Sequence, residues 1–274
     1  MKNPRTASKQ IAAVNPEFDP VAARTALDWV ERSVARYFRL QAIGGHNLPP
    51  GRAMIVGCHS GVVPYDAACT LVAVREKTAR YARAVGDRFF GRFAFVESFL
   101  RRQGAVVGDR AEAIALLRAD NLLLVFPGGA ADMTRPIWRD AYSVLPHKGF
   151  APGRGGYIKI ALQARSPIVP LAVVGAEEAH LMLANLPWLA ERLGVPLFPV
   201  LGSLIPLPVK LYVRFGAPIH LQAPPSAAAD QVLVDRLNVQ VRTAVQKLIN
   251  DTLRRRKGVI WSSYDGTEQP PRRR

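Results

Sequence analysis

Four short, almost wholly apolar runs, at 53–56, 122–126, 168–174 and 211–215, constrain this chain more than any other feature. A strand without polar alternation must be covered on both faces, as in a parallel sheet lying between helix layers. Between the runs, apolar residues recur at helical spacing near 66–77, 90–103, 110–119, 153–164 and 177–192. Strands alternating with helices predict one α/β domain with a mostly parallel central sheet flanked by helices. A chain of 274 residues with 49% hydrophobic content can bury such a core. It shows no internal repeat and no clear domain boundary.

The ends are read differently. Residues 1–18 are basic and polar and are expected to be disordered. Asp19 and Pro20 mark a helix start, and Ala23, Leu27, Val30, Val34 and Phe38 follow at helical spacing, predicting an amphipathic helix over 20–40. Arg24, Glu31, Arg32 and Arg39 lie on its other face. Trp29, Tyr37 and Phe38 suit either a membrane interface or packing on the core. A last helix over 230–256 places Val234, Leu237, Val241, Val245 and Leu248 on one side, so the folded domain is expected over 19–257. The remaining tail, 258–274, is irregular and basic.

Composition narrows the partners. The net charge of +16 favours polyanions: nucleic acid, an anionic membrane surface or a phosphorylated substrate. Cys58 and Cys69 form neither a disulfide framework nor a zinc-site pattern, which suggests a reducing compartment and no structural metal. The chain opens with no secretory pattern. Its longest stretch without a charged residue, 193–209, is broken by Pro196, Pro199, Pro206 and Pro208 and makes a poor transmembrane helix.

Three stretches carry possible chemistry. In "GCHSGVVPYD", His59 follows an apolar strand at its carboxyl end, where open α/β sheets place their sites. Asp66 falls in the first turn of the next helix, whose dipole favours a carboxylate. It either orients the imidazole as a general-base dyad or merely caps the helix beside a turn. In "VFPGG", Phe126, Pro127, Gly128 and Gly129 end another strand, and the glycines offer backbone N–H groups to an anion or oxyanion, or simply close a turn. In "GAVVGDR", Arg110 is placed to grip a phosphate or to be one of many surface charges.

Taken in order, "HSGVVPYD", "GAVVGDR", "VFPGG" and "SPIVPL" resemble the four blocks of the phospholipid and glycerol acyltransferase superfamily, over about residues 40–220. The resemblance implies transfer of a fatty acyl group from acyl-CoA or acyl carrier protein to a glycerolipid or lysophospholipid hydroxyl, without a resident cofactor. It implies His59 as base and Asp66 as its orienting partner. Arg110 and 126–129 would bind the acceptor, and Ile168, Val169 and Pro170 would shape the pocket. Six residues separate His59 from Asp66 rather than the commoner four, which resembles the branch with monoacylglycerol and diacylglycerol acyltransferase-like members. The third block commonly reads Phe-Pro-Glu-Gly followed by Arg. Here Gly128 replaces the glutamate, Ala131 stands in place of the arginine, and Arg135 is the nearest candidate to supply that charge.

The expected reaction is direct attack of the acceptor hydroxyl on the thioester, with His59 taking the proton. Cys58 is disfavoured as a nucleophile, because neighbours in an extended segment point to opposite faces. No G-x-S-x-G elbow is present. The expected location is peripheral, on the cytoplasmic side of an anionic membrane, where 193–209 either dips into lipid or forms a buried connection. Two rival readings remain: a lapsed lipid-binding protein of the same fold, or a nucleic-acid binder using the basic runs at 253–257 and 272–274.

Overall fold

The computed structural model of the chain describes residues 15–86, 92–136, 138, 141–195 and 197–265. Nine strands matter for the site: β1 Gln41–Ile43, β2 Ala53–Val56, β3 Ala82–Gly86, β4 Val106–Val107, β5 Leu122–Val125, β6 Ile168–Val174, β7 Met182–Asn185, β8 Pro199–Leu201 and β9 Tyr212–Phe215. Seven form one sheet in the order β1-β9-β6-β2-β5-β3-β4. All neighbours are parallel except β6 and β9, so β9 and β1 run against the others. The expected α/β domain with a mostly parallel sheet is what the chain forms.

The apolar runs account for the centre. Every residue of β2 and β6 is buried, and alternate side chains of β2 enter different cores. Met54 and Val56 join one with Leu116, Ile158, Val241 and Val245, while Ala53 and Ile55 join another with Phe38, Cys69 and Val72. Pro170 sits inside β6 where its pairing with β2 ends, at Val56, and its carbonyl accepts the N–H of Gly216 just past the end of β9. The donor that proline lacks is therefore missing at a ladder's end.

Helix α1 (Pro20–Val30) starts as expected, with Asp19 accepting the N–H groups of Val21 and Ala22. It continues as a π-helical turn over Glu31–Ala35 rather than as one regular helix to 40. Its apolar stripe, Leu27, Val30 and Val34, packs on the core, and Arg75 from α2 (Tyr65–Thr78) ion-pairs with Asp28 and Glu31. Trp29 is left facing solvent. Residues 1–14 lie outside the described residues; Phe18 is packed, its ring 3.5 Å from the Arg83 guanidinium.

Helix α3 (Ala94–Arg102) flanks β4 beside the start of α1, its Arg102 carbonyl accepting the Asp19 N–H, while α4 (Arg110–Arg118) and α5 (Gly156–Ala164) lie on the other face. The helix expected over 177–192 does not form. The chain makes only α6 (Ala176–Ala179), then β7, then α7 (Pro187–Leu193), with β7 pairing antiparallel to β8. Glu177 and Glu178, which resemble a polar helix face, instead turn inward to Tyr142. The last helix, α8 (Gln231–Arg255), buries Val234, Asn238, Val241, Val245, Ile249 and Thr252, and beyond it Arg256–Lys257 pairs with Ser263–Tyr264.

Candidate active site

The carboxyl ends of β2 and β5, neighbours in the sheet, deliver the first and third sequence blocks to one place. After Val56 the chain turns through Gly57 to Gly61. Gly61 has φ +86°, and a Cβ there would lie 2.4 Å from the Ala176 carbonyl oxygen, so only glycine fits. Pro64 then precedes α2, which carries Asp66 in its first turn.

Asp66 is wholly buried, its side chain 0% exposed, and fully used. Its Oδ1 accepts the Ala67 N–H (2.7 Å); its Oδ2 accepts the Ser60 N–H (2.8 Å) and lies 2.8 Å from His59 Nδ1. An acceptor-only carboxylate there assigns the proton to Nδ1 and leaves the Nε2 lone pair for a substrate. The His59 ring stacks on Phe126, centroids 4.1 Å apart at 18°. Burial pulls the His59 pKa down, but the charges of Asp66 and Asp132 outweigh that and the opposing Arg135, so it stands above its ordinary 6.5.

The third block folds as a tight turn. Gly129 donates its N–H to the Phe126 carbonyl (3.0 Å), so that group serves the turn itself. The Pro127 carbonyl accepts the Gly149 N–H (2.9 Å). Asn238 of α8 holds this region from behind, donating to the Gly149 and Ala151 carbonyls and accepting from the Tyr157 hydroxyl.

Arg135 lies under the His59 turn with its side chain 8% exposed. It donates to the carbonyls of His59 (3.0 Å), Asp132 (2.8 Å) and Ser143, meets Cys58 Sγ, and ion-pairs with Glu177 at 3.6 Å. Its charge is thus internal to the loop. Arg110 stands exposed at the start of α4, and its guanidinium meets Gln163 Oε1 (3.3 Å) on α5. The structure therefore brings together His59, Asp66, Phe126, Pro127, Gly128, Gly129 and Arg135, with Arg110 set apart on the α4–α5 face. Ile168, Val169 and Pro170 lie within the buried β6.

Sequence reasoning missed four polar residues here: Asp132, His147, Glu177 and His180. Asp132 lies buried against the dyad turn, facing His147. Glu177 and His180 line a small cleft with Gly61, Val62 and Met182. Asp132, inside the third block, was the one with a positional signal. Burial, with the nearby Asp132 charge adding to it, pushes the Cys58 thiol well above its usual range, keeping it protonated.

A mostly parallel sheet thus carries a histidine–carboxylate pair at the carboxyl end of a central strand, an arrangement with the chemistry to take a proton from a hydroxyl. The acyltransferase family profile matches residues 39–174. An uncharacterized protein of Mycobacterium leprae is 32% identical over 260 residues, covering 90% of this chain and 68% of that one. A mouse protein named DGAT1/2-independent enzyme synthesizing storage lipids is 26% identical over 210 residues, covering 76% and 58%. The crystal structure of the 1-acyl-sn-glycerophosphate acyltransferase PlsC of Thermotoga maritima shares the fold at TM-score 0.55 and 18% identity, covering 86% of this chain and 83% of that one. The chain belongs to the acyltransferase family and is an acyltransferase.

Proposed function

We propose that the protein transfers a fatty acyl group from a thioester, acyl-CoA or acyl carrier protein, to a glycerolipid or lysophospholipid hydroxyl at an anionic membrane surface. The observation that carries this reading is the dyad: a fully buried, fully hydrogen-bonded Asp66 fixing Nδ1 of a His59 whose Nε2 is available. The acceptor O–H gives its proton to Nε2 as the oxygen attacks the thioester carbonyl carbon. The tetrahedral adduct then collapses, the C–S bond breaks, and the leaving sulfur takes that proton from the imidazolium. Asp66 keeps the tautomer and stabilises the imidazolium. The intact dyad disfavours a lapsed, purely lipid-binding protein.

Membrane docking is supported by one patch beside the cleft. No helix among the described residues is long and apolar enough to cross a membrane. Leu204, Ile205 and Trp261 are 89%, 77% and 90% exposed. Tyr37 bonds the Pro206 carbonyl, and Arg39 bonds those of Pro208 and Ile260 and lies over Trp261, so these side chains adjoin, with exposed Arg36 close by in sequence. Apolar tips flanked by arginines match an anionic leaflet. The patch is joined to the cleft through His180, which pairs with the Ser203 carbonyl and the Tyr65 hydroxyl. In the basic run at 253–257, Arg256 is held by Glu178, and Arg254, Arg255 and Lys257 form surface pairs with Asp251 and Asp265; the run at 272–274 lies outside the described residues.

The test is acyl transfer from labelled long-chain acyl-CoA, and separately from acyl carrier protein, to lysophospholipids, glycerol phosphates, mono- and diacylglycerols in anionic vesicles. Wild type should transfer to at least one acceptor, and His59→Ala should not. Sedimentation with the same vesicles should show roughly tenfold or greater loss of binding in Leu204→Ser/Ile205→Ser, from the apolar surface removed. Undiminished binding would remove the patch from the reading.

A further inference from the structure

Asp132 has no part in the reaction just described, yet it is built into the dyad's support. Its carboxylate is wholly buried. Oδ2 accepts the main-chain N–H of His59 (3.2 Å), and Oδ1 lies 2.6 Å from His147 Nε2. Three residues on, Arg135 takes the His59 carbonyl (3.0 Å) and the Asp132 carbonyl (2.8 Å). Both peptide hydrogen-bonding groups of His59 are thus held by one short segment, while Asp66 holds its ring.

Gly128 records the same arrangement from the other side. A Cβ at that position would fall 2.0 Å from Asp132 Oδ2 and 2.2 Å from its Cγ and Oδ1. Any side chain at residue 128 would compete for the space the Asp132 carboxylate fills. The glycine at this place in the third block is what lets the carboxylate reach His59.

We propose that Asp132 is a positioning residue, clamped by His147 and admitted by Gly128, that fixes the main chain of His59 and so the place of Nε2 relative to the acceptor hydroxyl. The inference rests on the acyl-transfer reading for its effect on rate, and on geometry alone for its effect on His59. The charged groups around the His59 ring are Asp66 from α2 and Asp132 and Arg135 from the segment after β5; Glu177 of α6 acts through Arg135.

The experiment uses the full chain, labelled with ¹⁵N-histidine, in wild type, Asp132→Asn, Asp132→Ala, His147→Gln and Gly128→Ala. The His59 ring resonance is assigned by its loss in His59→Ala and titrated by NMR without substrate. Removing the Asp132 charge should lower the His59 titration midpoint. In acyl transfer, kcat should fall roughly 10–100-fold in Asp132→Ala with KM little changed, the scale of a misplaced catalytic group. His147→Gln should show a smaller loss. Gly128→Ala should match Asp132→Ala, and the double variant should be no worse than either single one, because both remove the same contact. A His59 titration and a kcat per folded molecule that do not respond to Asp132→Asn or His147→Gln would overturn the proposal and leave Asp132 a fold element only. Where Asp132→Ala does not fold, those two variants carry the test. A shifted His59 titration in a protein that acylates no acceptor would overturn the transferase reading and leave the positioning intact.

Discussion

Replacing Glu177 by glutamine should change how stability depends on pH. The carboxyl group lies beside Arg135 with 11% of its side chain exposed, and Oε2 accepts the Tyr142 N–H (2.9 Å). Burial is the largest influence on it and outweighs Arg135, so its pKa is pushed up from 4.5 to about 7. The sign follows from which state holds the proton. Below 4.5 both folded and unfolded chains are protonated at this site, and its contribution is intact. Between 4.5 and 7 the unfolded chain has released the proton while the folded one retains it, so stability falls as pH rises; above 7 the loss is complete. A difference of about 2.5 pK units corresponds to roughly 3 kcal/mol. Glutamine keeps the acceptor for Tyr142 and never ionises, so that slope should vanish. Above pH 7 the variant should gain up to this amount, less what Arg135 loses with its partner. Urea unfolding of both proteins from pH 4.5 to 8, at constant m value, measures the difference curve. A difference that is flat across pH 4.5–7, or of opposite slope, would refute the reasoning.

Two further outcomes bear on the dyad. Because His59 must be neutral to accept a proton, kcat/KM should fall as pH drops through a midpoint above 6.5. Asp66→Asn should move that midpoint down and cost at least roughly 10²-fold in kcat by losing the tautomer and the imidazolium's counter-charge; a pH–rate profile unchanged in the variant would deny Asp66 its role. Gly61→Ala should destabilise the fold by roughly 2–4 kcal/mol, combining a left-handed φ with a backbone collision. Denaturant midpoints within error of wild type would show that the turn relaxes freely.

The sequence made legible what depends on local pattern and order. β2 and β6 match the apolar runs because burial on both faces leaves no room for polar alternation. The His59 turn was placed correctly at a strand's carboxyl end, and Phe126 and the glycines beside it came from block order rather than from any one motif. What escaped depends on contacts across the chain. β3 carries Arg83, which reads as a surface charge but is buried against Phe18, so the segment shows no strand pattern. β1 and β4 have three and two residues, too few to show a period. The helix expected over 177–192 rested on apolar spacing alone, which carries no sign that Glu177 and Glu178 are acceptors for Tyr142 and partners of Arg135 and Arg256.

Arg135 and Asp132 show why the polar half of the site is harder to read than the apolar half. A hydrophobic residue has one favourable destination, the interior, and its periodicity reveals the path. A charged residue has two, solvent or a buried partner, and only the partner's position decides between them. Arg135 read as spare charge for an acceptor because its partners, the carbonyls of His59 and Ser143, are backbone atoms with no sequence signature. Asp132 is similarly hidden, with one exception: the absence of a side chain at Gly128 is visible in sequence, and its meaning is the volume the Asp132 carboxylate occupies. A glycine at such a place is therefore informative about which neighbouring side chain fills the volume it leaves.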